Sequence, residues 1–364
     1  MLVQLYQQRR DTIPGGSGFY MGPIGTGKTN ALRNEIEHVL NNTEEVAFVI
    51  SKNGEFDDLA KKYGGIVIDL DKESLNPLII LDADKIKKED LGFLSSIKCG
   101  LVKLLVETRI PKLSSLQKYL IDQVMSKFCR ECGNPDWNQF VLALNKMIDS
   151  YKEKNIEERL EEIKASLNEV ALDLNLTRLQ SDSILLKETF LEELKAVTEA
   201  VSELSSIAAG SEQIPIGDHR LVIYDVKNVE GGDIDKYRLL AVEDVWTRLN
   251  GVNPIKQARL CIDDADNIFK LYDKYMSMLY KVAGTQGLVI SSVIEDTETF
   301  LNKKSVFRKI SSYFELFSHP QYTVDMLKPI FSLSTEEADW INNAPKGQKL
   351  AISGNNRFLV KQVK

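Results

Sequence analysis

Apolar residues along this chain come in short runs. Phe19-Tyr20-Met21, "EEVAFVIS" (44–51), "IVIDLD" (66–71), "HRLVIYDV" (219–226), "RLCIDD" (259–264) and "GLVISSV" (287–293) each read as a brief buried strand. Between them the period lengthens. "NALRNEIEHVL" (30–40) carries Ala31, Ile36, Val39 and Leu40 at helical spacing, and "DKYRLLAVEDVWTRLN" (235–250) is amphipathic in the same way. "NGEFDDLAKKYGG" (53–65) reads as turn, helix and Gly-Gly stop, and "SLNPLIIL" follows the next strand, with Asn76-Pro77 ending that strand. The end, "GQKLAISGNNRFLVKQV", reads as a hairpin with Asn355-Asn356 at its turn. Strands alternating with helices predict an α/β fold with a mainly parallel sheet.

The middle of the chain breaks this alternation. From about Ile86 to Gly210 almost nothing looks like a strand. Ile156, Leu160, Ile163, Leu167, Val170 and Leu174 follow alternating steps of four and three, as do Phe190, Leu194, Val197, Val201 and Leu204, with "TRLQSDS" between the two sets. This predicts either an antiparallel helical arm or two ordinary core helices. The expected organisation is therefore a first core segment at 1–85, an all-α insertion at 86–210 and a second core segment at 211–364.

Composition narrows the setting. The 364 residues suffice for one large domain or two ordinary ones. A net charge of −7 argues against a general nucleic-acid coat, although "KIKKED" and "LNKKSVFRK" are short basic clusters. No apolar run has the length needed to cross a bilayer, and the start, "MLVQLYQQRR", lacks the order of a signal peptide, so a cytoplasmic protein without a membrane span of its own is expected. Cys99 and Cys261 stand alone. Cys129 and Cys132 form a lone CxxC with no second pair, which reads as two thiols at a helix end rather than as a zinc site.

The candidate chemistry lies at the first strand. Gly22, Gly27, Lys28 and Thr29 fit G-x-x-x-x-G-K-[ST], here between a strand and a helix, the context the motif requires. Glycines let backbone N–H groups turn inward around phosphate oxygens, and the helix N-terminus adds partial positive charge. The stretch Gly22, Pro23, Ile24, Gly25, Thr26, Gly27, Lys28, Thr29 and Asn30 is thus the candidate binding segment for ATP. Lys28 is expected to reach the β- and γ-phosphates and the Thr29 hydroxyl to bind Mg²⁺. A P-loop also needs an acidic strand end. "RLCIDDADNIF" offers Asp263 for the metal and Asp264 to orient the attacking water; the bland reading is a solvated loop with a helix cap.

The succession "GPIGTGKT", "FVISKNGEFDDLAKKYGG", "SLNP", "HRLVIYDV" with Trp246, "RLCIDDAD", "SSVIED" and "KGQKLAISG" resembles the VirB-type traffic ATPases of type IV secretion, and most of all their conjugative branch in Gram-positive elements. That family falls in the HerA/FtsK-type motor class. The resemblance implies a RecA-like core with an all-α insertion, a homo-oligomer such as a hexamer, secretion-channel partners at the inner face of the membrane and, in the family, a further N-terminal domain. It implies that Glu55 lies near the nucleotide with a catalytic role beside Lys28 and Asp264; read locally, Glu55 is a helix-start acid favoured by the dipole. Three positions depart from the family pattern. Asp264 stands where Glu is usual, Ser291-Ser292 where a polar sensor pair usually ends its strand, and Lys281 lacks the accompanying Arg. The leading reading is a motor ATPase. A DNA translocase of the same class and a nucleotide-gated scaffold that barely hydrolyses ATP are the alternatives.

Overall fold

The computed structural model describes residues 16–79, 88–131, 136–153, 183–210, 212–229, 231–250, 255–303 and 305–360. The chain forms two compact units. One gathers the segment up to Glu73 with that from Pro215 onward; the other is Ser74–Ile214.

The first unit is built on a nine-stranded sheet of order β3-β4-β2-β5-β6-β1-β7-β8-β9. Its strands are β1 (Gly18–Met21), β2 (Val46–Ser51), β3 (Ile66–Asp69), β4 (Leu221–Asp225), β5 (Ala258–Ile262), β6 (Leu288–Ile294), β7 (Tyr313–Leu316), β8 (Lys349–Ser353) and β9 (Asn356–Val360). Neighbours from β3 across to β7 run parallel, and β8 and β9 close the edge antiparallel. The expected α/β class and mainly parallel sheet are borne out. Because parallel strands need crossovers, helices cover the sheet. Helix α1 (Lys28–Asn42) follows β1 and α2 (Asp57–Tyr63) follows β2, with Gly64 in the left-handed conformation as its stop.

Alternation along β1 divides the core. Phe19 faces one side and stacks on Tyr280 with ring centroids 5.1 Å apart, within a cluster that includes Phe269, Phe300 and Phe307. Tyr20 faces the other side and donates to Glu35 of α1. There Arg259 of β5 is enclosed with two carboxylates, pairing with Glu35 and, at 3.2 Å, with Glu45. Arg220 donates to the Leu40 carbonyl at 3.2 Å and to that of Thr43, placing positive charge at the end of α1 where helix carbonyls lack partners.

Three sequence expectations change. Strand β7 was not expected: Glu315 interrupts its apolar pattern, and burial is possible because Lys349 of the adjacent β8 pairs with that carboxylate. The hairpin turns at Gly354-Asn355, with Asn356 already opposite Ser353, because Gly354 takes the positive φ of 56° that the turn needs. Strand β3 stops at Asp69, and Asn76 instead closes a small turn by accepting from the Leu78 N–H at 2.9 Å.

The regular elements described in the second unit are all helices: α3 (Lys88–Glu107), α4 (Ser115–Glu131), α5 (Trp137–Glu153), α6 (Ser183–Glu203) and α7 (Ser205–Ala208). Leu194, Val197, Val201 and Leu204 are fully buried, and Trp137 donates its indole N–H to the Val201 carbonyl at 2.9 Å. This half of the patterned pair belongs to a helical core. The other half, 156–174, lies outside the described residues, as does Cys132; of the Cys129 side chain nothing is described.

Candidate functional site

The glycine-rich loop leaves β1 at the edge of the sheet where the parallel strands end, the place at which open α/β sheets bind ligands. Gly25 and Gly27 have φ values of 82° and 103°, a region L side chains rarely adopt, so the loop can fold back upon itself only with glycine there. A Cβ at Gly27 would also be tight, lying 3.1 Å from Gly347 Cα. The Gly347 N–H donates to the Thr26 carbonyl at 2.9 Å, so the loop before β8 braces the glycine-rich one. Ile24 at its tip is 82% exposed. Helix α1 begins at Lys28 with no acidic residue in its own first turn, so the helix itself supplies no carboxylate to the positive end of its dipole.

Lys28 is buried and its ammonium donates to the Pro23 carbonyl at 2.8 Å; the Glu295 carboxylate lies 3.6 Å away. Burial pulls the Lys28 pKa below its ordinary value, against the opposing charges of Glu295, Asp266 and Asp263. The Thr29 hydroxyl lies 3.3 Å from Asp263 Oδ1, so the structure brings the loop and the acidic strand end together. Asp263 is buried, and its carboxyl is pushed up to about 7, first by burial and then by a hydrogen bond to Glu55 and that group's charge. Glu55 stands beside Asp263, two residues before α2 begins at Asp57. Asp264 has a positive φ of 47° and pairs with Lys52, just past β2. Its shape is one that Asp tolerates better than most residues. Fully enclosed Arg238 donates to the Asp263 carbonyl and, at 3.3 Å, to Asp235, which fixes the acidic turn from behind.

The donor set suits a magnesium nucleotide. Mg²⁺ takes oxygen ligands and is held by few protein groups, the rest being water and phosphate oxygens. Thr29 and Asp263 supply one hydroxyl and one carboxylate at the required place. Among the described residues no group of three or more His, Cys, Asp or Glu side chains that could hold a metal ion is found.

Ser291 and Ser292 do not end their strand. Strand β6 continues to Ile294, Ser291 donates to Glu35 at 2.9 Å, and Ser292 shares a hydrogen bond with Tyr280 at 2.8 Å. Both are buried on opposite faces of the sheet, because the strand runs past them. The residue at its end is Glu295. Sequence reasoning passed over Glu295, Lys52 and Arg238. An acid directly after a buried strand was the signal for Glu295; the other two act through contacts with residues more than two hundred and twenty-odd positions away respectively, which no local pattern carries. Of the basic clusters, Arg308 stacks on Phe314 and Phe331 at 5.4 and 5.2 Å, while 85–87 and 304 lie outside the described residues. Among the described residues no helix is long and apolar enough to cross a membrane.

No protein-family model and no curated protein sequence matches the chain. Solved structures do. The chain is similar to VirB4 of Thermoanaerobacter pseudethanolicus, with a TM-score of 0.69 at 12% identity over 96% of this chain and 90% of that one. It is similar to the bacterial conjugative coupling protein TrwBΔN70 in complex with sulphate, with a TM-score of 0.58 at 12% identity over 99% and 92%. It is also similar to the plasmid coupling protein TrwB in complex with ADP and Mg²⁺, with a TM-score of 0.56 at 13% identity over 99% and 92%. The chain has the P-loop fold of these proteins.

Proposed function

We propose that the chain is a magnesium-dependent P-loop ATPase that serves as a motor of conjugative transfer or type IV secretion. The observation that carries this reading is the meeting of Lys28, Thr29 and Asp263 at the end of a parallel sheet. The fold shared with VirB4 and TrwB supports the setting, and the TrwB complex with ADP and Mg²⁺ supports the ligand.

In this reading the glycine-rich loop wraps the phosphates and Lys28 neutralises their charge. Thr29 and Asp263 would hold Mg²⁺, which supplies charge neutralisation at the phosphate oxygens. Glu55 and Asp264 orient a water molecule. Its oxygen forms a bond to the γ-phosphorus as the bond to the ADP oxygen breaks, and the water proton passes to a carboxylate or to the released phosphate. Positioning and charge provide the acceleration. The resemblance adds assembly of several copies and docking on secretion-channel proteins.

A second reading, a gated scaffold with little turnover, is favoured by one contact: Lys52 engages the Asp264 carboxylate that would have to meet water. Phosphate release from the purified chain at saturating MgATP, with and without DNA, decides among them. Turnover that Asp263→Asn abolishes supports the ATPase, and DNA stimulation that weakens steeply with salt favours the translocase. ATP binding with no turnover in either condition favours the scaffold.

A further inference from the structure

We infer that Glu295 is a specificity residue that sets the balance between nucleoside triphosphate and diphosphate, its carboxylate holding the place beside Lys28 that a γ-phosphate must enter. The inference rests on the nucleotide reading above. Strand β6 lies between β5, which leads into Asp263, and β1, which leads into the glycine-rich loop. The residue just beyond β6 therefore sits between the two halves of the site. Pairing of Met21 with Ile294, and the Gly22 N–H bond to the Ile294 carbonyl at 3.1 Å, bring Glu295 level with the loop's first glycine.

The backbone at this point is fixed. Asp266 accepts from the N–H groups of both Glu295 and Asp296 at 2.9 Å. The turn thus cannot swing away, and only rotation of the Glu295 side chain can clear the loop. That side chain is 35% exposed and has space to rotate, whereas Lys28 at 3% does not. An incoming γ-phosphate brings negative charge to the same ammonium. It must displace the Glu295 carboxylate and then remain near it. A diphosphate meets less of this repulsion, because it lacks the third phosphate and its charge. The two roles differ in their readout: loss of a water-activating base lowers turnover, while loss of a competing carboxylate raises triphosphate affinity.

The test is an equilibrium titration of the full chain with fluorescent non-hydrolysable ATP analogue and with fluorescent ADP, both with Mg²⁺, for the parent, Glu295→Gln and Glu295→Ser. Both variants are expected to bind the ATP analogue about tenfold more tightly than the parent and to gain clearly less for ADP. Circular dichroism of both variants checks that they fold, and the smaller Ser guards against a special effect of the amide. Unchanged affinity ratios, or weaker binding of the ATP analogue, overturn the inference while leaving the nucleotide reading intact if the parent binds. A parent that binds neither nucleotide overturns the nucleotide reading itself and the inference with it.

Discussion

Thr29 Oγ1 and Asp263 Oδ1 lie 3.3 Å apart although 234 positions separate them in the chain. One residue opens the helix after β1 and the other follows β5, so the sheet order alone makes them neighbours across β6. Neither group alone would hold a small divalent cation. Together with phosphate oxygens and water they can. Asp263→Asn is expected to reduce Mg²⁺-dependent nucleotide affinity about tenfold or more while leaving the weaker binding seen in excess chelator nearly unchanged. Titrations with Mg²⁺ and with chelator check this; equal losses in both would assign Asp263 to the fold rather than to the cation.

Asp264 has a different place. Its left-handed backbone and its pairing with Lys52 turn it from a simple strand-end acid into one held on a defined turn. Asn adopts that backbone readily, so Asp264→Asn should keep the melting temperature and nucleotide affinity of the parent. Its phosphate release should fall about a hundredfold if the carboxylate orients water. Glu tolerates the left-handed region less well, and Asp264→Glu should cost about 1 kcal/mol of stability.

Arg259 tests the core behind the loop. It is buried together with Glu35 and Glu45, and both Tyr20 and Ser291 also donate to Glu35. Removing one member of such a group leaves charge in the interior without its partner. Arg259→Met should therefore destabilise the chain by roughly 3–5 kcal/mol, read by chemical denaturation.

His319 gives a pH dependence with a definite sign. Its ring is enclosed, donating from Nδ1 to the Phe317 carbonyl at 2.7 Å and bonding Thr297 through Nε2 at 3.0 Å. Burial brings its pKa down to about 4. The unfolded chain takes up this proton near its ordinary value of about 6.5 while the folded chain does not, so falling pH favours unfolding. The contribution is absent above that value, grows as pH falls, and reaches about 3 kcal/mol near pH 4. His319→Gln should flatten the stability profile over this window, measured by denaturation at a series of pH values.

Much of the site was legible because its signals are local. The loop from Gly22 to Thr29 and the pair Asp263-Asp264 each sit within a strand and its following turn, and the strand-helix alternation implied that they share one sheet edge. What escaped depends on partners brought by the fold. Strand β7 could not be seen in "YFEL" because Glu315 looks like a surface residue until Lys349 arrives from β8. The resemblance puts Ser291-Ser292 where a sensor pair ends its strand, yet β6 extends past them through Ile294. Leu194, Val197 and Val201 fit an arm as well as a core helix, since both bury one stripe of a helix; their full burial, with Trp137 bonded to the Val201 carbonyl, decides for the core.

The central claim is that this loop binds a nucleotide through Lys28, and equilibrium binding of a fluorescent ATP analogue with Mg²⁺ to the parent and to Lys28→Ala tests it most directly. The account predicts saturable binding to the parent and a loss of at least about a hundredfold in the variant, with the circular dichroism of the two unchanged. Equal affinity in parent and variant would contradict it.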